Sequence, residues 1–97
     1  MSAFGNLSGS SLEHGERMRQ AMVDFDRNEE YVRRALSSRN CSRAINNLSK
    51  MGVAYGAALT EARHYYPVPS PQWRSWEVTE ARLVEKTMAV IRACGRK

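Results

Sequence analysis

Apolar and small residues recur along the middle of this chain in alternating steps of four and three: Cys41, Ile45, Leu48, Gly52, Tyr55, Leu59, Ala62, Tyr66. Such steps fall on one stripe of an α-helix, so residues 41–66 are predicted to form a long helix with a buried seam. Gly52 and Gly56 lie inside it, and each costs a helix interior roughly 1 kcal/mol relative to Ala. A helix that keeps both is expected to bring another backbone very close to them. Together they form a Gly-x-x-x-Gly motif of the kind that packs helices in membranes. Lys50, Glu61 and Arg63 around the motif exclude that setting. The approaching element is then another helix of this chain or a second chain.

Two further periodic stretches flank this one. Ser10 with Glu13 forms a capping box, and the helix it opens is expected to run to about Leu36 with Met18, Met22, Phe25, Val32 and Leu36 inward. Gly15 and the stretch Asp24–Arg27 weaken it. Residues 1–9 are mostly Ser, Gly and Asn and read as a mobile arm, leaving 10–97 as a single helical domain. Ser37-Ser38-Arg39-Asn40 is the first break, with Asn40 or Ser38 placed to cap the second helix. Pro67, Pro69 and Pro71 form a stiff elbow, and Ser70-Pro71 is a strong start signal for a third helix. Its expected inner face carries Trp73, Trp76, Ala81, Val84, Met88, Ile91 and Cys94. Acidic Glu77 and Glu80 lie early and basic Arg92, Arg96 and Lys97 late, as the helix dipole favours.

With no strand alternation and no repeat, the fold class is all-α. The simplest architecture is an antiparallel three-helix bundle, a long helical hairpin plus a third helix after the Pro-rich elbow. The alternative is a hairpin whose third helix packs on another copy. In the bundle, Cys41 and Cys94 share one end with Cα atoms within roughly 10 Å, the spacing of packed helices. Both cysteines read as small buried hydrophobes with free thiols.

Composition narrows the function. The chain has 97 residues, 42% of them hydrophobic, which suits one modest core. It holds no apolar run long enough to span a membrane. Its first ten residues lack a basic leader followed by an apolar stretch, so a cytoplasmic or virion setting is expected. The net charge is +5, and Arg supplies 12 of the 15 basic residues. Arg forks suit phosphate or carboxylate, so an acidic protein surface or a nucleic acid is the indicated kind of partner.

Catalytic chemistry finds little support. Glu61-Ala-Arg-His64 is a single Glu-x-x-His pair, expected on the solvent side of its helix, whereas di-iron sites need two such pairs and further glutamates. Cys41, Cys94, His14 and His64 have no metal-ligand spacing, and no glycine-rich phosphate loop is present. No cofactor or metal is therefore expected, and an enzyme is not the expected class.

Two surfaces carry the binding expectations. Arg63, Tyr65 and Tyr66 precede the elbow, and Trp73, Arg74 and Trp76 follow it. Such side chains anchor protein partners or stack on bases; alternatively the rings plug the open end of the bundle. Arg33, Arg34, Arg39, Arg43, Arg92, Arg96 and Lys97 gather at one end of an up-down-up bundle and form a patch for an anionic partner. The helices are too long for a helix-turn-helix. The indicated function is a non-enzymatic protein-binding or assembly module, including self-association, in the format of a small phage or mobile-element virion component or inhibitor of a host complex. The alternative is a nucleic-acid-binding accessory protein using the Arg-rich end.

Overall fold

A computed structural model describes residues 9–65 and 72–95, with side chains over 15–63 and 74–95. Three helices account for them: α1 (Gly9–Ser37), α2 (Cys41–Tyr65) and α3 (Gln72–Cys94). Three layers of core residues give their order. Ala21 of α1 packs with Ala58 and Ala62 of α2 and Trp76 of α3. Phe25 meets Met51 and Ala54, with Leu83 against them, and Val32 and Ala35 meet Ala44 and Val90. Residue numbers rise along α1 and α3 and fall along α2, so the chain is an antiparallel three-helix bundle. α1 starts one residue before the expected Ser10. The arm up to residue 8, Tyr66 and the proline elbow lie outside the described residues.

The α1–α2 turn is built from backbone hydrogen bonds. The amide of Asn40 donates to the Ala35 carbonyl (2.8 Å) and that of Arg39 to Leu36 (3.1 Å), the paired bonds of a Schellman motif. Its C′ residue is Arg39, at φ 59°, where glycine is the usual occupant. Asn40 then caps α2, its Oδ1 accepting from the amide of Arg43 (3.1 Å).

The seam of α2 differs from the expected one. Its buried line is Ala44, Asn47, Met51, Ala54, Ala58 and Ala62. Of the expected residues, Ala62 is buried, while Cys41, Leu48, Tyr55 and Leu59 are half-buried along one edge of this line. Ile45 is exposed, and Gly52 and Gly56 have no neighbour within 4 Å of where a Cβ would stand. Among the described residues, the glycines thus receive no other helix. Alanines make the close packing instead, because four of them on one line give α1 a low surface without glycine's conformational penalty. Glu61 also turns inward from its expected solvent position: its side chain is only 13% exposed and pairs with Arg17 of α1 at 3.6 Å.

α3 is rotated from its expected setting as well. Trp76, Thr79 and Val90 are buried and Leu83 and Cys94 half-buried, whereas Ala81, Val84, Met88 and Ile91 are exposed. Side-chain links account for the rotation. Phe25, Tyr55 and Trp76 form a chain of tilted rings, one from each helix, with centroids 6.4 and 6.3 Å apart. Arg82 lies over the Phe25 ring, 4.9 Å from its centroid, and reaches Asp26 (2.7 Å) and Glu29 of α1. At the far end Cys41 and Cys94 are joined in a disulfide, with Cα atoms 5.7 Å apart. The distance agrees with the expected topology; the expected free thiols do not. A turn-based reading places the two residues at one end without resolving whether their Cβ atoms face each other, and that decides between thiol and disulfide.

Candidate functional site

The expected aromatic anchor is only partly available. Trp76 is 8% exposed and belongs to the core with Ala21, Ala58 and Ala62, so its ring joins the three helices. Arg63 and Arg74 are exposed. Tyr66 lies outside the described residues, as do the side chains of Tyr65 and Trp73.

The basic end is assembled by topology. The end of α1, the start of α2 and the end of α3 meet at the Cys41–Cys94 bond, which brings Arg33, Arg34, Arg39, Arg43 and Arg92 to one end. Arg96 and Lys97 lie outside the described residues. Glu30 partly neutralises the group: it accepts from Arg33 and from Nε of Arg34 (3.0 Å), and the two guanidinium groups hold its carboxyl down at about 2. Arg39, Arg43 and Arg92 have no acidic partner among the described residues. Tyr31, Arg34, Ala35, Ser38, Arg43 and Asn47 line a cleft of about 370 Å³ here.

A surface that the pattern placed inside stands outside. Ala81, Val84, Met88 and Ile91, in steps of three, four and three, form one stripe on the outer side of α3. Val84, Met88 and Ile91 are 53%, 46% and 55% exposed. Glu77 and Glu80 flank the start of the stripe, Glu85 its middle and Arg92 its end. The periodicity itself was legible, but an apolar stripe is equally suited to the chain's own core or to another surface. Open space over Gly52 and Gly56 gives α2 a second uncovered face.

Among the described residues no three His, Cys, Asp or Glu side chains gather as a metal site, and no helix is long and apolar enough to cross a membrane. No protein-family model matches the chain, and searches of curated proteins and of solved structures return no similar one.

Proposed function

We propose that this protein is a small non-enzymatic assembly module that works by protein–protein contact through the outer stripe of α3. One observation carries the reading: a helix with an apolar stripe at heptad-like spacing keeps that stripe in solvent and packs by its other side. Contiguous apolar residues left exposed in this way mark contact surfaces. The partner that fits most simply is a second copy of the chain, with the two α3 helices antiparallel. That arrangement covers each stripe with the other and brings Glu77 and Glu80 of one copy toward Arg92 of its mate.

Sedimentation over a range of concentrations tests this reading. The parent should associate, and a Val84→Glu, Ile91→Glu double variant should remain monomeric with an unchanged helical spectrum, because both positions are exposed. A parent that stays monomeric at several hundred micromolar would sink the self-assembly reading. The disulfide bears on the compartment, since such bonds persist in oxidising surroundings and are kept reduced in most cytosols. In the expected cytoplasmic setting the two thiols would be open.

A second reading has its own support in Arg39, Arg43 and Arg92, three guanidinium groups with no acid beside them among the described residues. It holds that the basic end binds nucleic acid. Its mark is affinity that falls steeply with salt, and less steeply once the three are changed to Gln.

A further inference from the structure

Asn47 is the least expected residue in the α1–α2 interface. It lies on the buried line of α2 between Ala44 and Met51 and is 8% exposed. Its side-chain amide has no hydrogen-bond partner among the described residues. The other buried polar residue, Thr79, satisfies its hydroxyl on the Ser75 carbonyl at 2.9 Å. Burying an amide unpaired is unfavourable, and native proteins seldom do so without something to meet it. Asn47 lines the cleft at the basic end, with Tyr31, Ala35, Arg34 and Arg43 around it.

We infer that this cleft binds a nucleotide, with its phosphate between Arg34 and Arg43 and its base against Tyr31, where the amide of Asn47 can meet the base edge. Each part of that ligand matches a group on the wall. Among the described residues Arg43 has no acidic partner and Arg34 commits only Nε to Glu30, leaving its terminal nitrogens available to a phosphate. Tyr31 is 40% exposed and offers a ring surface for stacking. An Asn amide both donates and accepts, as base edges require. Ser38 contributes no donor, because its hydroxyl is already directed to the carbonyls of Arg34 (3.1 Å) and Ala35 (3.2 Å). The cleft volume is near the lower end for small-molecule sites, which suits one nucleotide. A bare carboxylate or phosphate would use the arginines and leave the ring and the amide idle. The inference is independent of the α3 stripe; it gives the basic end a specific ligand.

The test is an NMR titration of the full chain, following the Arg Nε–H and Asn47 amide signals with adenosine and uridine 5′-monophosphates, inorganic phosphate, adenosine and glutamate. A 5′-monophosphate should shift the Arg34, Arg43 and Asn47 signals together, and bind at least tenfold more tightly than phosphate, adenosine or glutamate. Arg43→Gln should weaken it about tenfold or more, the effect of losing a charged hydrogen bond. Asn47→Leu, which removes the buried amide and so should fold at least as well, should reduce the preference for the nucleotide several-fold, leaving what Tyr31 stacking supplies, while phosphate binds as before. If neither monophosphate shifts these signals at millimolar concentration, or if phosphate or glutamate binds as well as both, the inference is overturned. A 5′-phosphorylated dinucleotide separates the two sources: tighter binding than the monophosphate points to a strand end, and equal binding to a free nucleotide. Salt-dependent binding of long strands that leaves Asn47 unmoved would keep the second reading and remove this one.

Discussion

At the scale of single residues, Arg39 occupies a backbone conformation that an L side chain pays to adopt. A non-glycine residue at φ 59° is disfavoured by about 1 kcal/mol, and the paired hydrogen bonds of the turn hold it there. Arg39→Gly should therefore raise the stability by about 0.5–1 kcal/mol, read as a higher denaturant midpoint with an unchanged slope. Gly52 and Gly56 call for the opposite substitution. With no neighbour from the other described residues within 4 Å of either added Cβ, Gly52→Ala and Gly56→Ala should each stabilise the monomer by about 0.5–1 kcal/mol through helix propensity alone. A loss of stability in thermal melts of the alanine variants would restore these glycines to a packed interface.

At the scale of elements, α1 and α2 share one buried line in which four of six α2 residues are alanine, whereas α3 is held at separated points: Trp76, Arg82, Leu83, Val90 and Cys94. Arg82 is the midpoint of that attachment. Arg82→Met should cost about 1–2 kcal/mol, since the ring contact and three charge-assisted bonds to two carboxylates go together. The same bonds imply a pH dependence. Hydrogen bonding from Arg82 lowers the Glu29 carboxyl, and Arg33 and Arg34 lower that of Glu30 to about 2. Both groups bind protons more weakly in the folded chain than in the unfolded one. Their contribution is complete above about pH 4.5 and is lost as the pH falls through the folded values, toward about 2 for Glu30. Melting temperature should decline over that window, and Glu29→Gln should flatten part of the decline. A Glu29→Gln curve parallel to the parent's would show that the Arg82 bond carries no linkage.

At the scale of the whole molecule, the Cys41–Cys94 bond closes a loop over a sequence separation of 53 and ties the start of α2 to the end of α3. Loop-closure entropy assigns such a bond about 2–4 kcal/mol, a large share of what a domain of this size can hold. Reduction, or Cys41→Ser with Cys94→Ser, should lower the melting temperature by roughly 10–30 °C. Hydrogen exchange should show α3 losing protection before the α1–α2 hairpin. Uniform loss across all three helices would mean that the bundle opens as one unit.

The helices, their number and their order are written in the local pattern of residues. Steps of three and four, the Asn40 cap and the break at 37–40 are local signals, and a helix is a local structure, so the boundaries of α1 and α2 follow within a residue or so. The antiparallel course and the shared basic end follow from one short turn and a returning third helix. Rotation about each helix axis was decided only by tertiary structure. On α2 the most apolar stripe is turned to the edge of the core by a buried line rich in alanine, because small side chains let α1 approach closely. On α3 three anchors outweigh the hydrophobicity of Val84, Met88 and Ile91: a ring cluster, an arginine shared by two carboxylates and a disulfide. Those anchors join residues more than twenty positions apart. Periodicity registers that a stripe is apolar and carries no information about what covers it, so the outer face of α3, the buried Asn47 and the pairing of the cysteines became visible only once the helices were packed.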